Sequence, residues 1–455
     1  MSPRHRIPSC FVLVLSTVAL LVGLMADAGA APSGKRLWAR IVADVATFRV
    51  DNVIDVAPGP NGSVYACGVY DFPLYSGYLW VARYSAAGHR MWLKKYGAAQ
   101  GIDANAEAMT VDGKGNLIVT GRAVAAGNEN MLTLKYAPNG ARLWARQYDG
   151  VGGGQDHAHA VVTDGAGNVY IAGASTGMGT GLDYLTVKYS AGGVYRWEAR
   201  YVGPGVDDVP YAIAIDGSRN TYVTGTSQTT SGDTDSLTMK VGPDGARRWA
   251  RRYAGPDGHD DGGHDIAVRN GNVHVSGATT TDAGGTDILL LKYSVAGAPK
   301  WTRTWDGPAH QADHSSRLAV DALGNEWIVG DAGRAGGLHS RALLIKWDPA
   351  GHRRWTRTYS ATGIQDSTFV CLAVDAGGRA WCAGWRAAAP GSNDVLVVKY
   401  TPGGLPVWAR TWNGPGNGQD GAGSICLSGS TGLYVGGWCW RPATNTDPVL
   451  LKYVR

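Results

Sequence analysis

Residues 144–189 read WARQYDGVGGGQDHAHAVVTDGAGNVYIAGASTGMGTGLDYLTVKY, and this one stretch decides the fold. Trp144, Arg146 and Tyr148 stand at i, i+2 and i+4, hence on one face of a strand. His159 to Thr163 alternates small and apolar residues and stops at Asp164. Asn168 to Ala172 is β-branched and aromatic, and Tyr184 to Tyr189 makes a fourth strand. Between the second and third runs lies Asp164-Gly-Ala-Gly-Asn168, a tight hairpin whose glycines tolerate positive φ. No segment sustains a 3.6-residue period, so the reading is all-β.

Outward from this unit the pattern recurs with a period of about 53 residues. Trp38, Trp92, Trp144, Trp197, Trp249, Trp301, Trp355 and Trp408 are spaced by 52 to 54 residues. Basic-aromatic pairs such as Lys135-Tyr136, Lys188-Tyr189 and Lys399-Tyr400 keep the same period, with Lys240-Val241 as a degenerate copy. A third ruler is a glycine closing a strand, at Gly68, Gly121, Gly173, Gly225, Gly277, Gly330, Gly384 and Gly437. One four-stranded sheet of this size cannot cover both faces, whereas radial stacking covers each with its neighbour. The expected architecture is therefore an eight-bladed β-propeller of four-stranded antiparallel blades. The first strand, at Trp38, is of the outer type and the last, Leu450 to Tyr453, of the third type. The N-terminal outer strand is thus expected to join the C-terminal blade and close the ring as a monomer.

Composition agrees with many tight turns: 66 Gly, 17 Trp, 21 Tyr and only 17% charged residues. A formal charge of +5, spread one basic position per repeat, excludes a nucleic-acid surface. Residues 1–30 read as a signal peptide: Arg4 and Arg6, an apolar run from Phe11 to Met25, then small residues ending at Ala30. The run falls short of the ~20 residues a spanning helix needs. Residues 31–455 are then a single propeller domain, secreted or placed at the periplasm or cell surface. Five cysteines remain after Ala30: Cys67, Cys371, Cys382, Cys426 and Cys439. Cys371 and Cys382 flank the hairpin 375–378, a placement that permits an intrablade disulfide or leaves two buried thiols. Cys371 and Cys426 read as equivalent positions of adjacent blades, so the pairing stays open.

The unit Asp-x-Ala-x-Ala-Val-Asp, Gly-Asn-x-Tyr-x-x-Gly, Asp-x-Leu-x-x-Lys-Tyr, Gly-x-x-x-Trp-x-Arg-x-Tyr resembles the SBBP-type β-propeller repeat of bacterial secreted and surface proteins. The resemblance spans residues 34 to 455 and implies architecture and location more than an activity. Gly-x-x-x-Trp, as in Gly140 to Trp144 and Gly193 to Trp197, also resembles the tryptophan-docking motif of eight-bladed quinoprotein dehydrogenases. That likeness implies a turn glycine and a Trp wedged between blades. The adjacent Cys-Cys pair those enzymes carry over the quinone is missing here, and no cofactor is expected.

Residues that recur in every blade read as scaffold. The basic residue two after most of the tryptophans is placed to stack on aromatic faces. The ring Asp103, Asp156, Asp208, Asp261, Asp313, Asp366 and Asp420, with Asp51 a looser counterpart, is placed to accept backbone N–H groups in its own turns. Residues that break the repeat are the functional candidates. They are His157 and His159 beside Asp156; His259, Asp260, His264 and Asp265 beside Asp261; and His310 and His314 beside Asp313. Imidazole with carboxylate suits a ligand, a transition metal or general acid–base chemistry. No Walker loop, Gly-x-Ser-x-Gly elbow, His-Glu-x-x-His or CxxC occurs. The expected function is a non-catalytic scaffold that binds a protein, peptide or glycan through loops at the channel mouth. A propeller enzyme (lyase, glycosidase or quinoprotein-like oxidoreductase) with residues from several blades is the alternative.

Overall fold

The computed structural model describes residues 34–42, 49–70, 77–97, 102–125, 127–282, 285–337, 339–359, 366–389, 391–430, 432–442 and 445–455. The leader reading of residues 1–30 lies outside them. Apart from the 3-10 turn Pro60–Gly62, the regular elements among them are all strands. They form eight antiparallel four-stranded blades, the first seven running inner, second, third and outer strand in chain order. Blade 3, for example, is Asp156–Thr163, Val169–Thr176, Leu182–Tyr189 and Tyr195–Tyr201. Its inner strand starts at Asp156, three residues before the run that alternation marks in the sequence. Blade 8 takes Gly421–Ser428, Gly432–Arg441 and Asn445–Val454 from the end of the chain and Arg36–Ile41 from its start. Trp38 pairs with Lys452 there as Trp144 pairs with Lys135 inside blade 2. The inner strand of blade 1, Arg49–Pro58, also pairs in parallel with Asn445–Val454, a second clasp at the seam.

The Gly-x-x-x-Trp motif is the latch between blades. The glycine lies at positive φ in all eight copies, from +79° at Gly404 to +87° at Gly245. Only glycine holds this conformation without strain. The Trp of the preceding blade packs flat on it: a Cβ at Gly193 would stand 2.8 Å from the Trp144 ring. Trp144 Nε1 donates to Ala191 O (3.1 Å), and Lys135 Nζ donates to the same carbonyl (3.3 Å). Arg146 reaches across to Gly193 O at 2.6 Å. The same reach joins Arg40 to Gly88, Arg251 to Gly297, Arg303 to Gly351, Arg357 to Gly404 and Arg410 to Gly34. Arg40 also lies over the Trp38 ring (5.6 Å), as stacking between the aromatics requires.

The third glycine ruler has a different cause. In every blade the register shifts on the inner strand, for instance between Ala158 and Ala160, so that one extra residue bulges out. The second-strand glycine sits opposite that bulge. A Cβ on Gly173 would lie 2.0 Å from His157 O, and on Gly277 1.8 Å from Gly262 O. The glycine is the sequence trace of a β-bulge, which turns an extra side chain toward the channel.

Of the two alternatives left open for Cys371 and Cys382, the structure has the buried thiols. All five are buried free thiols. Register places Leu372 opposite Cys382 and Cys371 opposite Ala383, so the two thiols leave opposite faces of the blade. Cys371 joins the apolar layer shared with blade 8 and Cys382 the one shared with blade 6. Nor are Cys371 and Cys426 equivalent: the first follows its bulge by one residue, the second by three.

Candidate functional site

The eight bulges ring the channel with Ile54, Glu107, His159, Tyr211, His264, Ser316, Val370 and Gly423. One residue on stand Asp55, Ala108, Ala160, Ala212, Asp265, Arg317, Cys371 and Ser424. Between them lies an open cavity of about 290 Å³ in the channel, to which all eight inner strands contribute. Each inner strand is a sheet edge, so its outward N–H and C=O groups face this space.

Three of the residues following the bulge serve those edges. Asp55 accepts from Met109 N of the next blade (3.2 Å), from Val56 N (2.8 Å) and from Ser424 Oγ (2.6 Å). Asp265 repeats the pattern four blades away, accepting from Leu318 N and Ile266 N, both at 2.9 Å. Ser424 accepts from Val56 N at 3.1 Å. Burial pushes both carboxyls up, against the pull of these bonds and of the Arg317 charge.

On one side of the channel three rings follow one another on consecutive blades. His159 meets Tyr211 edge-on with centroids 6.3 Å apart, and Tyr211 meets His264 at 6.5 Å. Burial, helped by the charge of His157, pushes His159 down to about 4, so its imidazole is neutral at pH 7. Burial also lowers His264, opposed by a contact of its Nδ1 with Ser315 O (3.3 Å). The wall is therefore aromatic and uncharged on this side. Glu107 and Arg317 face the cavity from blades 2 and 6. Burial raises the Glu107 carboxyl, with Arg122 and His157 opposing.

Among the sequence candidates, His159, His264 and Asp265 line this cavity and the others do not. Asp156, Asp261 and Asp313 are turn acceptors: Gly150 N, Gly255 N and Gly307 N donate to them, as Gly203 N and Gly414 N do to Asp208 and Asp420. Asp260 caps Thr234 N at 2.8 Å. His157 pairs with Glu129 (2.9 Å), His259 with Asp282 (2.7 Å) and His310 with Asp306. His314 turns to Asp331 at 3.4 Å, whose hydrogen bond raises its pKa. Sequence reasoning missed Asp55, Glu107, Tyr211 and Arg317. Each breaks the repeat at the bulge or one residue after it, a position countable back from the strand-closing glycine.

Asp287, Asp306 and Asp313 bring one oxygen each within 4.8 Å of one another, the sole such trio of metal-type donors among the described residues. In blades 3 and 4 the equivalents of Asp287 are held by arginines, Asp183 by Arg200 (2.9 Å) and Asp235 by Arg252 (3.0 Å). In blade 5 that register position is Thr304. Burial and the two neighbouring carboxylates push Asp287 up to about 6.

The family model of the SBBP beta-propeller repeat matches residues 197–233, a stretch shorter than one full repeat that begins at the docking Trp197. No curated protein matches the sequence. Similar solved structures include the Pseudomonas aeruginosa periplasmic gluconolactonase PpgL, at 10% identity and TM-score 0.45, covering 74% of this chain and 98% of that one. The polysaccharide lyase Uly1 gives 10% and 0.45, over 77% and 89%. The β-propeller domain of the Trilobed protease from Pyrococcus furiosus gives 9% and 0.41, over 82% and 95%. These likenesses concern the fold alone.

Proposed function

We propose that this protein is an exported, monomeric, non-catalytic binding scaffold that holds a small polar ligand, or the exposed end of a peptide or glycan, in its channel. The row His159, Tyr211 and His264 around an open cavity carries this reading. Neutral rings from three blades offer flat faces to a ligand, and charged groups opposite offer orientation, the usual division of labour in a pocket. The blades fix these residues rigidly, so little ordering is needed on binding. Tyr211, 41% exposed, is free to take a partner at small cost to the fold. A peptide and glycan array followed by calorimetry tests the reading. Binding that Tyr211→Ala removes supports it, and a ligand indifferent to Tyr211→Ala and His264→Gln places binding elsewhere and ends it. A chelator control decides whether a metal takes part.

Export rests on the basic and apolar leader 1–30. Among the described residues no helix is long and apolar enough to cross a membrane. Sequencing the N-terminus of protein from its native host should find residue 31, and retention of Met1 would remove the leader reading.

One observation favours an enzyme as the second reading. His264, whose pKa burial lowers, and Asp265, whose carboxyl burial raises, stand side by side in one cavity, a pair of residue types that acid–base chemistry uses. Turnover of glycosides or lactones that vanishes in His264→Gln would make this the better account.

A further inference from the structure

The charged groups of the channel are unequal in their commitments. Asp55 and Asp265 have both oxygens engaged by N–H or hydroxyl donors. Glu107 accepts no hydrogen bond and makes no ion pair within 4.0 Å among the described residues. The cations nearest it, Arg122 and His157, are both bound to Glu129 instead. Arg317 donates only to the carbonyl of its own neighbour Ser316, at 3.1 Å, and leaves the rest of its guanidinium toward the channel. Glu107 belongs to blade 2 and Arg317 to blade 6, four blades apart in a ring of eight and hence on opposite sides. Both line the same cavity.

We propose that the channel takes a short peptide with free termini, its ammonium on Glu107, its carboxylate on Arg317 and its middle against the Tyr211 row. This rests on the binding reading above and names its ligand. A carboxylate with open lone pairs and a guanidinium with open donors, held apart by fixed walls, match a ligand with opposite charges at its two ends. The ring row between them carries no charge at pH 7, because burial keeps His159 neutral, so nothing there competes with either end. Arg122 and His157 do not displace the ammonium, since Glu129 holds them. A neutral sugar would leave both charges unanswered in a partly desolvated space.

Calorimetry with trialanine, N-acetyl-trialanine, trialanine amide and maltose tests this. Free trialanine is expected to bind, and each blocked form to bind about tenfold more weakly, one lost charge-assisted contact apiece. In Glu107→Gln the free and N-acetyl forms should become indistinguishable while the amide penalty persists. In Arg317→Gln the reverse is expected. Both side chains are solvent-reached, and melting curves of the variants verify that the fold is kept. Blocked peptides binding as well as free trialanine would overturn the proposal. Maltose binding that Tyr211→Ala abolishes, with no peptide binding, would overturn it and leave the channel reading standing. If no probe binds in a Tyr211-dependent way, both fall.

Discussion

At the rim between blades the same residues return eight times: a glycine at φ near +80°, a Trp laid on it, and in most copies an Arg or Lys tied to the next turn. On the channel wall the same inner strands carry Ile54, Glu107, His159, Tyr211, His264, Ser316, Val370 and Gly423 at one equivalent position. The difference follows from what each position touches. A rim residue packs on a neighbouring blade of the same shape, so one solution suits every interface. A bulged residue faces the channel and is not clamped between two blade faces, so the fold constrains its chemistry less. Repetition marks what the scaffold needs, and variety marks where it leaves room.

The contrast is sharpest in stability. Gly193→Ala must put a Cβ against the Trp144 ring at φ +80°, combining left-handed strain with overpacking. Denaturant titration should show a loss of about 3 kcal/mol. The matched channel variant Tyr211→Ala should stay within about 0.5 kcal/mol of the parent. Equal losses for the two would erase the distinction. Arg146→Ala removes the bonds to Gly193 O and Ala145 O, both 2.6 Å, and should cost about 1–2 kcal/mol. Arg146→Lys should recover little, since one ammonium cannot make the two-ended reach.

On the channel side the expected effects are of pH. The folded pKa of His159 lies near 4, below its ordinary 6.5, so the unfolded chain binds more protons in between. Its contribution is fully present above 6.5 and is lost as pH falls toward 4. His159→Gln should leave stability at pH 7 unchanged and flatten that decline; an unaltered pH profile would mean the imidazole is not desolvated. The smallest effect belongs to Asp287, whose pKa is raised from 3.8 to about 6, so that its ionisation costs the folded state as pH rises through this window. Asp287→Asn should raise the melting temperature slightly at pH 7 and not at pH 4. A loss at pH 7 would show that the carboxylate trio is stabilised by something it holds.

The blade count, the strand order and the closure through Trp38 and Lys452 were legible because each depends on contacts repeated in every unit. The site was legible only in part, for a geometric reason. Alternation puts His157 and His159 on one face, yet the register shift between Ala158 and Ala160 frees His159 for the channel and leaves His157 to Glu129. The same shift turns His264 inward while His314, two residues before its own bulge, points to Asp331. A single bulge thus separates histidines that the sequence groups together as breaks in the repeat. Glu107 and Arg317 were overlooked because isolated charges carry no motif. Only the structure shows that both line one cavity from opposite blades, Glu107 with no hydrogen bond among the described residues and Arg317 with one, to Ser316 O.

The seam of blade 8 also has a mechanical meaning. Arg36 lies beside Tyr453, and Val454 N donates to Lys35 O, so both ends of this strand pair leave from the same side of the sheet. A force applied between residues 34 and 455 therefore opens the pair one hydrogen bond at a time, like a zip, and does not load all the bonds at once in shear. A ring held by eight repeated interfaces would give way to a gentle pull at this one point.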